Sequence, residues 1–139
     1  QSILQRTHEI VLSVVIELVR GDKLKLWQDG QATLDYRQTT QPSGVFSSGC
    51  TFRNIPKSEA VRLATPVFTT SAGFLLETVG LKGTKKGKAL FSNNHANFIV
   101  HHGGARAADV LELIKLAKQK VKDRFNIDLC EEIVLLGEF

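Results

Sequence analysis

The feature that most constrains the fold is a stripe of apolar residues in the last third of the sequence. Apolar side chains recur there at spacings of three and four, so a helix would carry all of them on one face. Polar residues, chiefly lysines, fill the positions between them. Such a helix needs an apolar layer to pack against and therefore belongs to a core. The stripe, which follows Gly103-Gly104, consists of Val110, Leu113, Ile114, Ala117, Val121 and Phe125.

Shorter elements around this helix set the fold class. Ser71–Val79 predicts a short helix, with Ser71 as its N-cap and Gly80 as its C-cap. Runs of apolar and β-branched residues predict three strands. The order of these elements predicts an α+β domain, with a mixed sheet and helices packed on one face. The three strands are Ala89–Phe91, Phe98–Val100 and Glu132–Leu136.

The amino-terminal part of the sequence predicts further β structure. Ile10–Val19 is rich in β-branched residues and bounded by polar ends, which indicates a buried strand. After a turn signal, Leu24–Trp27 alternates in polarity and is predicted to pair back as a hairpin strand. The polar stretch Asp29–Tyr36 is ambiguous and leaves a helical turn open.

A connector rich in Thr, Gln, Pro, Ser and Gly follows, from Gln38 to Ser48. We therefore expect a boundary between two regions, residues 1–43 and residues 44–139. The chain contains no methionine, so we also expect it to be a piece of a longer protein.

Composition narrows the class of protein. A hydrophobic content of 42% with 23% charged residues is typical of a globular domain. No apolar run reaches the roughly 18 residues that a membrane span needs, and no signal peptide is visible. The two cysteines, Cys50 and Cys130, lie far apart in sequence and favour a cytoplasmic protein with reduced thiols. A net charge of +4 fits either an anionic ligand or ordinary surface charge. Nucleic-acid binding is disfavoured because few aromatic residues accompany the basic ones.

One short stretch, Gly49–Asn54, combines several chemically useful residues. Cys50 is a possible proton donor or nucleophile, and Arg53 and Asn54 offer hydrogen-bond donors that suit anionic oxygens and amides. Taken alone, the pattern is a weak indication of a site. No P-loop, dinucleotide fingerprint or zinc-ligand spacing occurs, so we expect no metal.

Two further loops are open to more than one interpretation. Leu81–Lys88 contains four lysines and two glycines; it is either a solvated connector or a holder for a pyrophosphate. The turn Ser92–Asn97 is rich in asparagine and contains His95. Turn chemistry alone would explain the asparagines, and His95 is equally compatible with a structural role.

Three stretches together resemble the UDP-N-acetylenolpyruvoylglucosamine reductase family. The first is Gly49–Asn54, which is similar to the family motif Gly-Ser/Cys-x-Phe-Lys/Arg-Asn-Pro, with Ile55 in place of the proline. The second runs from Ala72 to Val100, and the third joins Ala107–Val110 to Leu129–Ile133. The resemblance implies that residues 44–139 are the substrate-binding domain. It also implies that residues 1–43 are strands from the end of an FAD-binding domain.

The resemblance implies an oxidoreductase that makes UDP-N-acetylmuramate for peptidoglycan, and hence for the cell wall and cell division. In that family a hydride passes from NADPH through FAD to C3 of UDP-N-acetylglucosamine enolpyruvate, and C2 is protonated. Cys50 then corresponds to the proton donor, and a thiol with an ordinary pKa near 8.5 is a better acid than a serine hydroxyl. Glu132 corresponds to the glutamate that assists at the enolpyruvyl group. From residues alone Glu132 is better interpreted as the polar start of a strand.

The resemblance also implies residues that bind the substrate and the cofactor. The UDP-sugar is expected to contact Arg37, Arg53, Asn54, Lys82, His95 and Asn97. Ser2 is similar to the end of a motif that contacts flavin or substrate. Because FAD and NADPH would be bound mainly outside this chain, we expect residues 1–139 alone neither to hold FAD nor to turn over. The expected partner is the remainder of the FAD-binding domain. The alternative is a non-catalytic module that binds UDP-sugars or anions through its lysine loop.

Overall fold

A computed structural model gives the fold of residues 3–5, 7, 9–63, 65 and 69–137. The helices are α1 (Lys23–Thr40), α2 (Lys57–Ala60), α3 (Ala72–Thr78) and α4 (Ala107–Phe125), besides a 3-10 turn at Ile3–Gln5. The strands are β1 (Phe46–Cys50), β2 (Lys85–Lys86), β3 (Ala89–Phe91) and β4 (Phe98–His101). The chain divides into two compact units, Gln1–Thr33 and Leu34–Phe139. The functional boundary expected between residues 43 and 44 stays a prediction.

The first unit contradicts the buried strand predicted at Ile10–Val19. Residues 9–22 form neither helix nor strand. The large apolar side chains of this segment are 53% to 97% exposed, with Val11 and Val15 at the two limits. A β-branched run becomes a strand only where a second strand supplies hydrogen-bond partners, and the described residues of this unit contain no strand. The strand-rich character expected of residues 1–43 is therefore wrong for the described residues.

The predicted hairpin strand Leu24–Trp27 is also wrong, because these residues form the first turns of α1. Asp22 caps the helix: its Oδ1 accepts a hydrogen bond from the Lys25 main-chain nitrogen at 2.7 Å. Its carbonyl accepts a second from the Leu26 nitrogen at 3.0 Å. Aspartate is among the strongest N-cap residues, and leucine, lysine and glutamine favour helices. The helical turn left open at Asp29–Tyr36 is part of the same helix, none of whose residues is buried.

The second unit is built on a four-stranded sheet with the order β1-β4-β3-β2. The sheet is antiparallel throughout. The mixed sheet predicted from the sequence is therefore wrong. Short turns join β2 to β3 and β3 to β4, and short connections can only make antiparallel pairs. Phe91 lies opposite Ile99 in the central pair. The α+β class itself is confirmed.

The strand predicted at Glu132–Leu136 does not form. A single antiparallel bridge joins Glu131 to Phe52. Beyond it Val134, Leu135 and Leu136 are 79%, 45% and 83% exposed. The segment is apolar and β-branched, but pairing of this segment with the Phe52 region ends after one rung.

The predicted helix stripe and its neighbours form the core. Leu113, Ile114, Ala117 and Val121 of α4 are 0% to 3% exposed, so the stripe is confirmed. Helix α4 packs on β2 and β3, and α3 packs against α4. Helix α3 begins as predicted, because the Ser71 hydroxyl accepts a hydrogen bond from the Phe74 main-chain nitrogen at 3.2 Å.

The start of α4 is fixed by Asp109, whose side chain is only 5% exposed. Its carboxylate accepts hydrogen bonds from the main-chain nitrogens of Arg106 and Lys88 at 3.1 and 3.4 Å. The Arg106 guanidinium contacts it at 2.9 Å. Gly87 packs against this carboxylate so closely that a Cβ there would lie 2.4 Å from it. These contacts join the β2–β3 hairpin to α4.

Candidate functional site

Cys50 lies where β1 departs from regular pairing. The register between β1 and β4 shifts between Ser47 and Cys50, and Gly49 has a φ of +87°. Glycine occupies that left-handed region without a steric penalty, which makes it the residue suited to this bend. Immediately afterwards Thr51 and Phe52 are each only 1% exposed. Cys50 as a whole is exposed, although its thiol is partly buried where it adjoins this segment.

Asn97 holds this buried segment from one side. Its Oδ1 accepts a hydrogen bond from the Phe52 main-chain nitrogen at 2.9 Å, and its Nδ2 donates to the Phe52 carbonyl at 2.8 Å. Its own carbonyl accepts from the Thr51 nitrogen at 2.7 Å. With 3% of its surface exposed, Asn97 replaces a strand partner where the ladder breaks. Both amide atoms are thus engaged by the main chain, although the sequence suggested a contact with substrate.

The segment after α4 holds the same residues from the other side. The Arg53 main-chain nitrogen donates to the Cys130 carbonyl at 2.9 Å. The Glu132 nitrogen donates to the Thr51 carbonyl, also at 2.9 Å. These bonds flank the bridge between Phe52 and Glu131. They bring Glu132 next to Cys50, from which it is far removed in sequence.

The two adjacent glutamates contact different partners, as alternation along an extended chain predicts. Glu131 lies 2.6 Å from the Lys118 ammonium of α4. Partial burial is the largest single influence and favours the neutral form, but the hydrogen bond from Lys118, a main-chain hydrogen bond and the Lys118 charge together outweigh it and lower the pKa of Glu131. Glu132 Oε2 lies 3.1 Å from Arg53 Nε. Of the two glutamates, Glu132 is the one whose charge acts on Cys50.

The surroundings of Cys50 keep its thiol protonated. Burial raises the pKa of Cys50, and the negative charge of Glu132 raises it further. Each of these effects penalises the thiolate. Because an unperturbed thiol already titrates above neutrality, Cys50 carries its proton at neutral pH. It is suited to act as an acid rather than as a ready nucleophile.

A second cluster surrounds His95. The His95 Nδ1 accepts a hydrogen bond from the Asn97 main-chain nitrogen at 3.1 Å, which leaves the ring proton on Nε2. Burial, followed by the positive charge of Lys82, lowers the pKa of His95, so the ring is neutral at pH 7. The imidazole lies against Gly73 of α3, where a Cβ would come within 2.8 Å of Cε1. A larger residue at Gly73 would displace the ring.

A cavity of about 240 Å³ opens beside this imidazole. Near it, the Lys82 ammonium pairs with Glu77 of α3 at 2.7 Å. Asn54 links this region to the Cys50 segment, since its Oδ1 accepts a hydrogen bond from the Ala72 nitrogen at 3.2 Å. The cavity is lined by Ser71, Gly73, Phe74, Glu77, Asn94, His95 and Ala96.

One predicted site residue, Arg37, does not join these clusters in the structure. Arg37 is exposed in the last turn of α1, and its carbonyl accepts a hydrogen bond from the Gln41 nitrogen at 2.9 Å. Ser2 lies outside the described residues. Among those residues, no group of three or more His, Cys, Asp or Glu is arranged to hold a metal ion.

Some partners in these clusters were not foreseen from the sequence. Lys118 fixes Glu131 and Glu77 holds Lys82, and both contacts depend on how α3 and α4 pack. Thr51 has a buried hydroxyl that lacks a hydrogen-bond partner within the described part of the chain. None of these features has a local signal in the sequence. None of the described helices combines the length and apolar character that crossing a membrane requires.

Comparisons with known proteins show what this chain is similar to. Residues 41–136 match the family described as UDP-N-acetylenolpyruvoylglucosamine reductase, C-terminal domain. A UDP-N-acetylenolpyruvoylglucosamine reductase of Bacillus pumilus is 38% identical over 138 residues, 99% of this chain and 42% of the relative. One of Bacillus subtilis is 36% identical over 137 residues, 98% of this chain and 41% of the relative. The crystal structure of the Thermus caldophilus reductase is similar with a TM-score of 0.59 and 34% identity, over 81% of this chain and 36% of that one. The chain thus spans about two fifths of the length of these relatives.

Proposed function

The chain belongs to the UDP-N-acetylenolpyruvoylglucosamine reductase family, and on this premise we propose that it is the substrate-binding domain of a longer reductase. The proposed reaction reduces UDP-N-acetylglucosamine enolpyruvate to UDP-N-acetylmuramate, a step of peptidoglycan precursor synthesis. The observation that carries the proposal is the proximity of Cys50 to Glu132, where burial and the Glu132 charge raise the pKa of the thiol. A binding module has no need of a protonated thiol beside a carboxylate.

The cofactors of the proposed reaction are NADPH and FAD, which would supply the hydride that reaches C3 of the enolpyruvyl group. The one residue we assigned to flavin, Ser2, lies outside the described residues. The bulk of the flavin site would belong to the remainder of the FAD-binding domain. The exposed apolar segment Ile10–Val19 supports that partner, because its β-branched residues suit pairing with strands, and the described residues of its own unit contain none.

The proposed role of Cys50 is to protonate C2 of the substrate once the hydride has arrived at C3. The S–H bond breaks, a C–H bond forms at C2, and the thiolate that remains takes a proton from solvent. Burial and the charge of Glu132 favour the protonated resting state and also make the thiolate a strong enough base to be reprotonated quickly. The exposure of Cys50 gives solvent access for that second step.

We propose that the second cluster binds the nucleotide portion of the substrate. A UDP group carries a pyrophosphate, which suits a lysine ammonium and neutral hydrogen-bond donors. Lys82 supplies the charge, and the neutral ring of His95 supplies a donor at Nε2. Because Lys82 is paired with Glu77, the pyrophosphate would compete with that carboxylate. Arg37 stays a proposed contact with the nucleotide on resemblance alone.

We further propose that the protein works in the cytoplasm. The two cysteines, Cys50 and Cys130, are both free. Free exposed thiols persist in a reducing compartment, whereas oxidising compartments convert them to disulfides. The proposed acid chemistry requires Cys50 to remain a thiol.

The test of the proposed function is NADPH oxidation by the full-length protein, measured with and without UDP-N-acetylglucosamine enolpyruvate. We expect Cys50→Ala to lower kcat by about 10²- to 10⁴-fold, the usual contribution of a general acid. Cys50→Ser should retain part of the activity, because the hydroxyl is a weaker acid in the same position. Cys130→Ala is the matched control, and its kcat should be close to that of the unmodified protein.

Two outcomes would count against the proposal in different ways. Unchanged turnover in Cys50→Ala would keep the reductase but remove Cys50 from the mechanism. Absence of substrate-dependent oxidation in every form, with UDP-sugar binding intact, would favour the non-catalytic binding module.

A further inference from the structure

Arg53 and Glu132 form an ion pair beside Cys50, with 3.1 Å between Arg53 Nε and Glu132 Oε2. Both residues are anchored by the main chain at the point of contact. The Arg53 nitrogen donates to the Cys130 carbonyl, and the Glu132 nitrogen donates to the Thr51 carbonyl, each at 2.9 Å. The ion pair therefore lies across two short segments that hydrogen bonds hold side by side.

We propose that Arg53 is a positioning residue for Glu132. The sequence suggested that Arg53 binds the UDP-sugar, and in this proposal it does not. This inference rests on the proposed function of the Cys50 site. The guanidinium is turned to Glu132, the residue that acts on Cys50. The contact restricts the rotamers of a long, partly exposed carboxylate, whereas the main-chain bond to Thr51 holds the residue itself beside Cys50 with or without Arg53.

The same contact limits how strongly Glu132 acts on the thiol. Within the described part of the chain, the charge that acts on Cys50 is that of Glu132, which opposes the thiolate. The positive charge of Arg53 is directed at Glu132. The neighbouring carboxylate of Glu131 is neutralised by Lys118 of α4 at 2.6 Å. Removal of Arg53 would leave the Glu132 charge uncompensated next to Cys50. The thiolate would then form less readily.

The size of the effect follows from exposure. The side chains of Arg53 and Glu132 are 44% and 55% exposed, so water screens their interaction. Exposed ion pairs contribute little to folding stability. We therefore expect the fold to survive the loss of Arg53, and we expect changes in thiol reactivity of a few-fold rather than of orders of magnitude.

The test measures the rate of iodoacetamide alkylation of Cys50 against pH, in the full chain carrying Cys130→Ser so that one thiol remains. Only the thiolate reacts, so the rate reports its fraction. Arg53→Gln should be alkylated about two- to fivefold more slowly at pH 8, the range that an exposed charge pair supports. Arg53→Lys keeps the positive charge and should recover most of the original rate.

Lys118→Gln is the matched control for general disturbance of the segment. It breaks the ion pair of Glu131, the residue next to Glu132, but this pair lies on the α4 side. Its alkylation curve should coincide with that of the parent. A similar slowing in Lys118→Gln, an unchanged curve in Arg53→Gln, or faster alkylation in Arg53→Gln would each overturn the proposal.

A second readout separates positioning from substrate binding in the full-length reductase. A positioning role predicts that Arg53→Gln lowers kcat and leaves KM for the UDP-sugar within about twofold, because a misoriented Glu132 would weaken the chemical step without weakening substrate binding. A raised KM with unchanged kcat would instead make Arg53 a substrate ligand and overturn the inference. The alkylation assay needs no turnover. An inactive full-length protein would therefore refute the proposed function while the alkylation curves still decide the role of Arg53.

Discussion

The segment Ile10–Val19 and helix α4 both contain many apolar residues, but those of the segment are exposed, whereas most of the helix stripe is buried. In the segment, Ile16 is 74% exposed, whereas Ile114 in α4 is 3% exposed. Helix α4 packs on β2, β3 and α3, which supply the apolar layer that its stripe requires. The described residues of the first unit supply no second strand. An apolar pattern therefore shows that a surface needs a partner, but not whether the same chain provides it.

The largest effect is expected when the same substitution is made in both regions. Ile114→Ala removes a buried side chain and should lower the free energy of unfolding by about 2–5 kcal/mol, because a cavity remains in the core. Ile16→Ala should change it by less than about 0.5 kcal/mol, since exposed positions contribute little. Urea unfolding followed by circular dichroism measures both. Equal losses in the two variants would show that Ile10–Val19 is packed after all.

A smaller effect is expected for a pair of polar residues of which one is buried and the other exposed. Asn97→Ala leaves the Phe52 nitrogen and carbonyl without partners in a buried place and should cost about 2 kcal/mol. Asn94→Ala, in the same turn but exposed, is the matched control and should cost less than about 0.5 kcal/mol. The same urea titrations apply. A negligible cost for Asn97→Ala would contradict its role as the support of the Cys50 segment.

The smallest expected effect is a change in the pH dependence of stability at the start of α4. The hydrogen bond from the Arg106 main chain, followed by that from its side chain, lowers the pKa of Asp109. The folded-state pKa is below the unfolded value, so the carboxylate stabilises the protein above about pH 4, the unfolded value. This contribution is lost as pH falls through the lowered folded-state value.

Asp109→Asn should therefore reduce stability at pH 7 and flatten its decline between pH 5 and pH 2. Urea midpoints across that range provide the measurement. Asp123→Asn, at an exposed position of the same helix, should leave the curve of the parent protein unchanged. A parallel, uniformly lowered curve for Asp109→Asn would mean that the contacts of Asp109 do not depend on its charge.

The parts of the fold that the sequence predicted are those with local causes. The α4 stripe repeats over several turns, Ser71 caps α3, and the β3–β4 strands flank a turn rich in asparagine. The sequence did not predict helix α1, because the alternating polarity of Leu24–Trp27 favoured a strand. The N-cap residue Asp22, which favours a helix, was given too little weight. The strand at Glu132–Leu136 was wrong because strand formation depends on a partner, and pairing with Phe52 stops after one bridge.

The candidate site was predictable only in part for a related reason. Cys50 and Glu132 were each identified by resemblance, but their proximity depends on hydrogen bonds between two segments distant in sequence. The contacts of Arg53 and Asn97 follow from the same pairing. Both residues have side chains that suit anionic ligands, so residue chemistry alone favoured substrate contacts. In the structure Arg53 forms an ion pair with Glu132, and Asn97 forms a hydrogen bond with the main chain of Phe52.

We propose that Cys50 and Glu132 form one electrostatically coupled acid site. The most direct test is the alkylation rate of Cys50 against pH in the Cys130→Ser chain, before and after Glu132→Gln. Loss of the carboxylate charge should lower the pKa of the thiol and speed alkylation at pH 7 by about two- to fivefold. Glu131→Gln, whose carboxylate faces Lys118, should leave the rate unchanged. An unchanged or slower rate in Glu132→Gln would contradict the coupling on which the proposed mechanism depends.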